Sequence, residues 1–267
     1  MSILEALIYG IVQGIAEFLP ISSTAHLVLL PWIFRWNQQP EAAKAAFDVA
    51  LHLGTAAAVI LFFLKDWIRL ITDGFTKPSS KNGKLFWFIV IATIPGGLAG
   101  VALDKYTEAM RDPLVIGIML IIMGFILYFA DKFGRNKVVL EDIGLNRSIT
   151  VGIAQVLAII PGVSRSGITM SAGRAMGITR EGIAKFTFLL STPIILADGL
   201  YHMKGIIHTP IDKAPFIVAV LTSAIVGLLS IKFLLDYLKN KGFGIFAAYR
   251  LILGAIVIVL YYVRLKG

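Results

Sequence analysis

Two short stretches concentrate the side chains able to do chemistry. The first runs Gln13-Gly-Ile-Ala-Glu17-Phe-Leu-Pro20-Ile-Ser22-Ser23-Thr24-Ala-His26. Gln13 and Glu17 are four apart and share a helix face, while Ser22 and Ser23 precede His26 by four and three. One turn thus offers a carboxylate, hydroxyls and an imidazole, the inventory of a nucleophile, a general base and a metal ligand. The second runs Pro161-Gly162-Val163-Ser164-Arg165-Ser166-Gly167-Ile168-Thr169. It has neither carboxylate nor imidazole. Instead an arginine stands between hydroxyls, glycines bare the backbone N–H groups, and a helix starts just beyond. A helix N-terminus beside a forked guanidinium is an anion site suited to phosphate. Arg174 and Arg180 follow downstream and add positive potential.

Each group also has a structural reading. A lone Ser or Thr in a membrane helix ordinarily bonds its own backbone or a neighbouring helix, which covers Ser22 and Thr24, and a lone histidine such as His26 can tie two helices. Glu17 and Arg165 are harder to absorb, because an ionisable group inside an apolar segment is expensive. Asp48 and His52 read as structural, Asp198 as a helix-end residue, and His202 and His208 as loop residues. The Gly96/Gly100 spacing reads as a close helix contact.

The elements positioning these turns must be membrane helices. Of 267 residues, 57% are hydrophobic and only 15% charged, with a mean hydropathy of +0.82. A soluble domain averages about 25% charged residues, so this chain lacks the means to cover a water-facing surface. Apolar runs near the ~20 residues of a spanning helix recur at about 45–64, 85–103, 114–130, 183–201, 214–235 and 244–263. The first apolar stretch carries Glu5 and no basic region, so no cleavable signal peptide is expected. The absence of cysteine excludes disulfides, thiolate catalysis and cysteine metal sites. The net charge of +9 sits mostly in short loops, as the positive-inside effect predicts, which argues against a nucleic-acid partner.

The chain resembles itself. Shifted by 142 positions, Gly10-Ile-Val-Gln13 meets Gly152-Ile-Ala-Gln155, and Ser22-Ser23-Thr24 meets Ser164-Arg165-Ser166; Phe47 and Leu51 match Phe186 and Leu190, and Gly124 matches Gly254. The expected architecture is all-α: a single polytopic membrane domain over 1–267, with about ten helical segments in repeats of about 1–131 and 145–265. Each repeat opens with a re-entrant helical hairpin (about 3–19 and 22–34; about 146–160 and 164–176) broken at Pro20 or Pro161-Gly162. Three full spans follow in each half, an odd number, so the second half is expected upside down. The cation-rich loops 65–84, 131–147 and 236–243 are expected at the cytoplasm, and the cation-poor loops 104–113 and 201–215, with both termini, outside.

At its two turns the chain resembles the undecaprenyl-diphosphate phosphatases, also called bacitracin-resistance proteins. The first family motif, (E/Q)xxxE running into Pro-x-Ser-Ser-Thr-x-His, stands as Gln13 to Glu17 and Pro20 to His26. The second, PGxSRSxxT, stands as Pro161 to Thr169. The likeness covers essentially the whole chain. It implies a plasma-membrane enzyme that removes the terminal phosphate of a C55 polyprenyl diphosphate, at a site facing the outer side, with Mg²⁺ or Ca²⁺. Carried over residue by residue, it makes Glu17, Ser23, His26 and Arg165 catalytic. Gly162, Ser164, Arg165, Ser166, Thr169 and Arg180 bind substrate, and Glu17 with Gln13 holds the cation. Gln13 stands where many relatives have glutamate, so this motif supplies no second carboxylate. The implied partners are the prenyl diphosphate lipid and the bilayer, with a homodimer allowed for.

Phosphoanhydride hydrolysis needs charge neutralisation and an in-line nucleophile. The residues leave Ser23 and His26 both open as that nucleophile, activated by His26 or Glu17. The competing class is a transporter or lipid flippase, since inverted repeats with broken helices are common there. The hydroxyl–imidazole–carboxylate cluster opposite an arginine turn is what such a protein does not need.

Overall fold

In a computed structural model of the chain, residues 2–36, 41–107, 110–206 and 212–265 are described. They form eleven α-helices in the order α1 (Ile3–Ala16), α2 (Ser23–Phe34), α3 (Glu41–Phe62), α4 (Leu64–Thr76), α5 (Lys81–Thr107), α6 (Pro113–Phe133), α7 (Leu145–Ala154), α8 (Arg165–Ala175), α9 (Arg180–Ile206), α10 (Lys213–Leu238) and α11 (Gly244–Leu265). A 3-10 turn at Gln155–Ile159 continues α7. Five helices (α3, α5, α6, α10 and α11) are long and apolar enough to cross a membrane, so the protein is a multi-pass membrane protein.

The short helices fall where proline breaks were expected. α1 has 14 residues and α2 has 12, about 21 and 18 Å at 1.5 Å per residue. Neither crosses a ~30 Å hydrocarbon layer. α8 with 11 residues is shorter still. α9 has 27 residues but carries Arg180, Glu181 and Lys185 in its first turns. It lies inside the bundle: Ile183, Ala184, Phe186, Phe188, Leu189 and Leu190 are all buried, as expected of a helix apolar on every side.

Four details differ from the sequence reading. The segment 65–84, read as a loop, contains α4, which raises the helix count from ten to eleven. Lys65, Asp66 and Arg69 mark one side of α4, while Leu70 and Gly74 are buried and Leu64, Ile68, Ile71 and Phe75 stand exposed. That is the pattern of a helix lying along a membrane interface. α5 runs on to Thr107 and α9 to Ile206, which shortens both loops expected outside and puts His202 on a helix. His208 lies outside the described residues, as do the side chains of Asp198 and His202. Finally, Gly96 packs against Gln155, but a Cβ on Gly100 would meet nothing, so the two do not form one helix contact. Close approaches occur elsewhere: a Cβ on Gly254 of α11 would lie 2.7 Å from Gly117 O of α6.

The packing pairs exchange between the halves. α1 packs on α10 and α7 on α5; α3 packs on α10 and α9 on α5; and α3 meets α9 as α6 meets α11. The cation-rich loops share one face. Lys81 Nζ bonds Asp142 Oδ1 at 2.7 Å, joining the first loop to the second. Phe243 N donates to Asp131 Oδ2 at 3.0 Å, joining the second to the third. At the other face Arg264 at the end of α11 donates to Trp32 O and Ile33 O at the end of α2.

Candidate active site

Both hairpins break in the same way. At the first, Glu17 N and Leu19 N still bond back to Gln13 O and Ile15 O; Pro20 follows, with no N–H to continue the ladder. Ser22 then takes φ 78°, and its Oγ accepts from Ala25 N at 3.3 Å, capping α2. At the second, Gly162 has φ 95° and Ser164 φ 75°, and Ser164 Oγ accepts from Gly167 N at 3.1 Å, capping α8. In each turn the capping hydroxyl also meets the hydroxyl two residues on: Ser22 with Thr24 at 3.2 Å, Ser164 with Ser166 at 3.0 Å. A non-glycine residue at positive φ costs on the order of 1–3 kcal/mol and collects at functional sites. Both matched serines carry that strain.

The two turns touch at the tips. Ser166 Oγ of the second donates to Leu19 O of the first at 3.0 Å. Arg165 Nη1 stands 3.5 Å from Glu17 Oε1, an ion pair whose carboxylate side chain is only 6% exposed. Arg250 of α11, wholly buried, donates to Pro20 O at 3.0 Å from Nη1, and from Nη2 to Gly162 O and to Val163 O at 3.1 Å.

Around Glu17 the groups form one set. Ser23 Oγ donates to Glu17 Oε2 at 2.7 Å, and Gln13 Nε2 donates to the same oxygen at 3.2 Å. Gln13 Oε1 and Arg165 Nη1 are buried without a hydrogen-bond partner. His26 is engaged at both ring nitrogens. Nδ1 donates to Ser22 O at 2.6 Å, since a carbonyl only accepts. Nε2 meets Tyr249 Oη at 2.7 Å, with the two rings stacked 5.7 Å apart. A serine hydroxyl on a carboxylate, facing a guanidinium with a spare donor, can attack a phosphorus held by that guanidinium.

The other second-turn hydroxyls lie behind the tip. Thr169 Oγ1 donates to Arg165 O at 2.7 Å and accepts from Thr187 Oγ1 at 3.0 Å; Ser164 and Ser166 are buried and paired. They hold the first turn of α8, which leaves the Arg165 side chain and the rest of the backbone as the groups of this turn not already engaged by these hydroxyls. Arg180 is not part of this constellation. It binds Asp131 through Nε at 2.7 Å and Nη2 at 3.1 Å, beyond the far end of α8, about 16 Å along the helix from Arg165. Arg174 also sits there, with Nε 2.9 Å from Asp131 Oδ1 and Nη1 2.6 Å from Asn136 Oδ1. A carboxylate at the cation-rich face claims both arginines. His52 Nδ1 bonds Asp48 O at 2.8 Å, a local helix contact in line with its structural reading.

Arg250 and Tyr249 escaped the sequence reading. Arg250 carries the signal that singled out Glu17, an ionisable residue within an apolar run. Tyr249 carries none, since a tyrosine in a membrane helix is ordinary.

No cluster of three or more His, Asp or Glu able to hold a metal occurs among the described residues. The donors present are one carboxylate, Glu17, and the unpartnered amide oxygen of Gln13. They suit a hard cation that draws its remaining ligands from substrate phosphates and water.

The bacitracin resistance protein BacA family model matches residues 6–256. The chain is 48% identical over 268 residues to an undecaprenyl-diphosphatase of Pelotomaculum thermopropionicum, with all of both chains covered. It is 48% identical over 265 residues to that of Moorella thermoacetica, covering 99% of this chain and 100% of the relative. To that of Caldicellulosiruptor bescii it is 44% identical over 267 residues, covering 99% of each. With both turns built as described and similarity running end to end, the chain belongs to the bacitracin resistance protein BacA family.

Proposed function

We infer that this protein is a membrane phosphatase that hydrolyses undecaprenyl diphosphate to the monophosphate, returning the lipid carrier to cell-wall synthesis. The observation that carries the mechanism is the 2.7 Å bond from Ser23 Oγ to Glu17 Oε2 beside Arg165. Arg165 and the backbone N–H groups at the start of α8 bind the terminal phosphate. Glu17 takes the Ser23 proton as Oγ attacks that phosphorus. The bridging P–O bond breaks, Glu17 hands its proton to the departing phosphate oxygen as undecaprenyl phosphate leaves, and Ser23 carries the phosphoryl group. Glu17, ionised again, takes a proton from an attacking water and passes it to Ser23 Oγ as the serine–phosphorus bond breaks, which releases phosphate and restores Ser23. His26 is the poorer nucleophile here because both of its ring nitrogens are occupied; it holds the first turn of α2 through Ser22 O. Gln13 and Glu17 would hold a divalent cation, Mg²⁺ or Ca²⁺, whose contribution when bound is to neutralise diphosphate charge.

The site is read as serving the outer side. The three cation-rich loops share a face, which the positive-inside rule assigns to the cytoplasm. The open end of the α1–α2 hairpin lies at the opposite face, beside the end of α11. The exchanged packing pairs and matching turns support two halves in inverted orientation. An apolar groove of about 640 Å³ along α5, between Trp67 and Pro193, opens to the lipid and suits an isoprenoid chain.

The test is phosphate release from undecaprenyl diphosphate by the purified chain in detergent, where no transport is measured. Ser23→Ala is expected to lower kcat by about 10³-fold or more, and trapped phosphoenzyme is expected to be acid-stable. Acid-labile phosphate on His26, or full activity in Glu17→Ala, would overturn the assignment.

A further inference from the structure

We propose that Arg250 is a positioning residue for this reaction: its guanidinium fastens the two turns together and so sets Arg165 against Glu17 and Ser23. The proposal rests on the phosphatase reading above.

At 3.5 Å, with Arg165 Nη1 lacking any hydrogen-bond partner, the Glu17–Arg165 pair has no directional bond to hold its geometry. That slack lets a phosphate enter, but something else must fix the separation. Two connections between the turns do so: Ser166 Oγ to Leu19 O, and Arg250 to Pro20 O on one turn and to Gly162 O and Val163 O on the other. Broken helices leave carbonyls without intrahelical donors, and one planar guanidinium with five donors can serve carbonyls of both turns at once. A lysine ammonium on a single flexible stem cannot.

Arg250 is wholly inaccessible, and it donates to main-chain oxygens of both turns. Among the described residues no carboxylate lies in ion-pair reach of it. An uncompensated buried charge is expensive, and here it sits directly behind the tip where a diphosphate binds. Its field favours an anion there without touching it. The adjoining helix is shaped to admit it: a Cβ on Gly167 would lie 3.1 Å from Arg250 Nη1.

The experiment compares wild type, Arg250→Lys and Gly167→Ala, each the full chain in one detergent, by kcat and KM for undecaprenyl diphosphate. Burst titration of phosphoenzyme counts the active molecules. A displaced turn is expected to lower kcat by about 10²-fold, with KM within about threefold and the burst amplitude retained. Gly167→Ala, which keeps the guanidinium's charge but crowds it together with Ser164 Cβ at 3.1 Å, is expected to lower kcat in the same way. Wild-type kcat in Arg250→Lys overturns the proposal. So does a rise in KM at constant kcat, which would make Arg250 a direct phosphate ligand. So does a burst that falls in proportion to activity, which would make its role purely one of folding. If Arg250→Lys does not fold, unchanged kcat in Gly167→Ala overturns the proposal alone. A wild-type chain that releases no phosphate fails at the phosphatase reading instead, and that result differs visibly from an inactive variant beside an active wild type.

Discussion

A single amide decides much about charge at this site. Gln13 is buried, spends its Nε2 on Glu17 and leaves Oε1 without a partner. With one carboxylate and one neutral oxygen, Glu17 and Gln13 would give a divalent cation weak anchorage and leave most of the coordination to substrate. Replacing the amide by a second carboxylate adds a charged ligand at the same spot. Gln13→Glu is therefore expected to lower the half-activating Mg²⁺ concentration by about tenfold, equivalent to about 1.4 kcal/mol. Titration of phosphate release against Mg²⁺ checks this; an unchanged midpoint would remove Gln13 from the cation site. Glu17 and Arg165 stood out by residue type, because ionisable groups are costly to keep inside apolar segments, whereas Ser23 was one of several hydroxyls there and was singled out by the family resemblance. That Ser23 bonds Glu17 rather than His26 was not legible: the choice depends on side-chain directions across a helix break.

At the scale of the elements, the broken helices are the working parts. Each turn places a serine at positive φ and uses its hydroxyl as the N-cap, so the residue after it, Ser23 or Arg165, begins a helix at the tip. The second turn is tightest at Gly162, where φ is 95° and a Cβ would lie 2.9 Å from Met119 Cβ and 3.0 Å from Ile116 O. Gly162→Ala combines a left-handed backbone strain of about 1–2 kcal/mol with an overpacking cost of about 1–3 kcal/mol. The expected result is a lowered thermal midpoint in detergent and loss of phosphatase activity, since the methyl group pushes the turn off α6. Proline and glycine announced these breaks in the sequence. α4 was missed because its charges suggested a loop. The spacing of Trp67, Leu70, Ile71 and Gly74 was the helical signal beneath them.

The whole molecule carries a second polar cluster, at the end opposite the hairpin tips of α8. Asp131 binds Arg174 and Arg180 and accepts from Phe243 N, which ties α6, α8, α9 and the α10–α11 connection into one face. Arg174 is fully buried, so removing its counter-charge strands it. Asp131→Ala is expected to destabilise the fold by about 3–5 kcal/mol, read as a fall in thermal midpoint in detergent. Any remaining folded enzyme should keep its KM, because this cluster begins about 14 Å along α8 from Arg165, at Arg174. A large rise in KM with stability intact would return Arg180 to the substrate site. The linear order of the chain cannot separate these roles: Arg180 follows the second turn closely, yet α8 carries the chain away from it.

By itself the sequence determined that the chain is a set of membrane helices, where the helices break, and which broken tips gather polar groups. Hydropathy, proline and the cost of burying charge are local properties, readable residue by residue. Only the tertiary structure decided which groups meet: Ser23 with Glu17, His26 with Tyr249, Arg180 with Asp131. It alone brought in Arg250, because a residue 230 positions from Pro20 reaches that turn through helix packing, and no spacing along the chain encodes the contact.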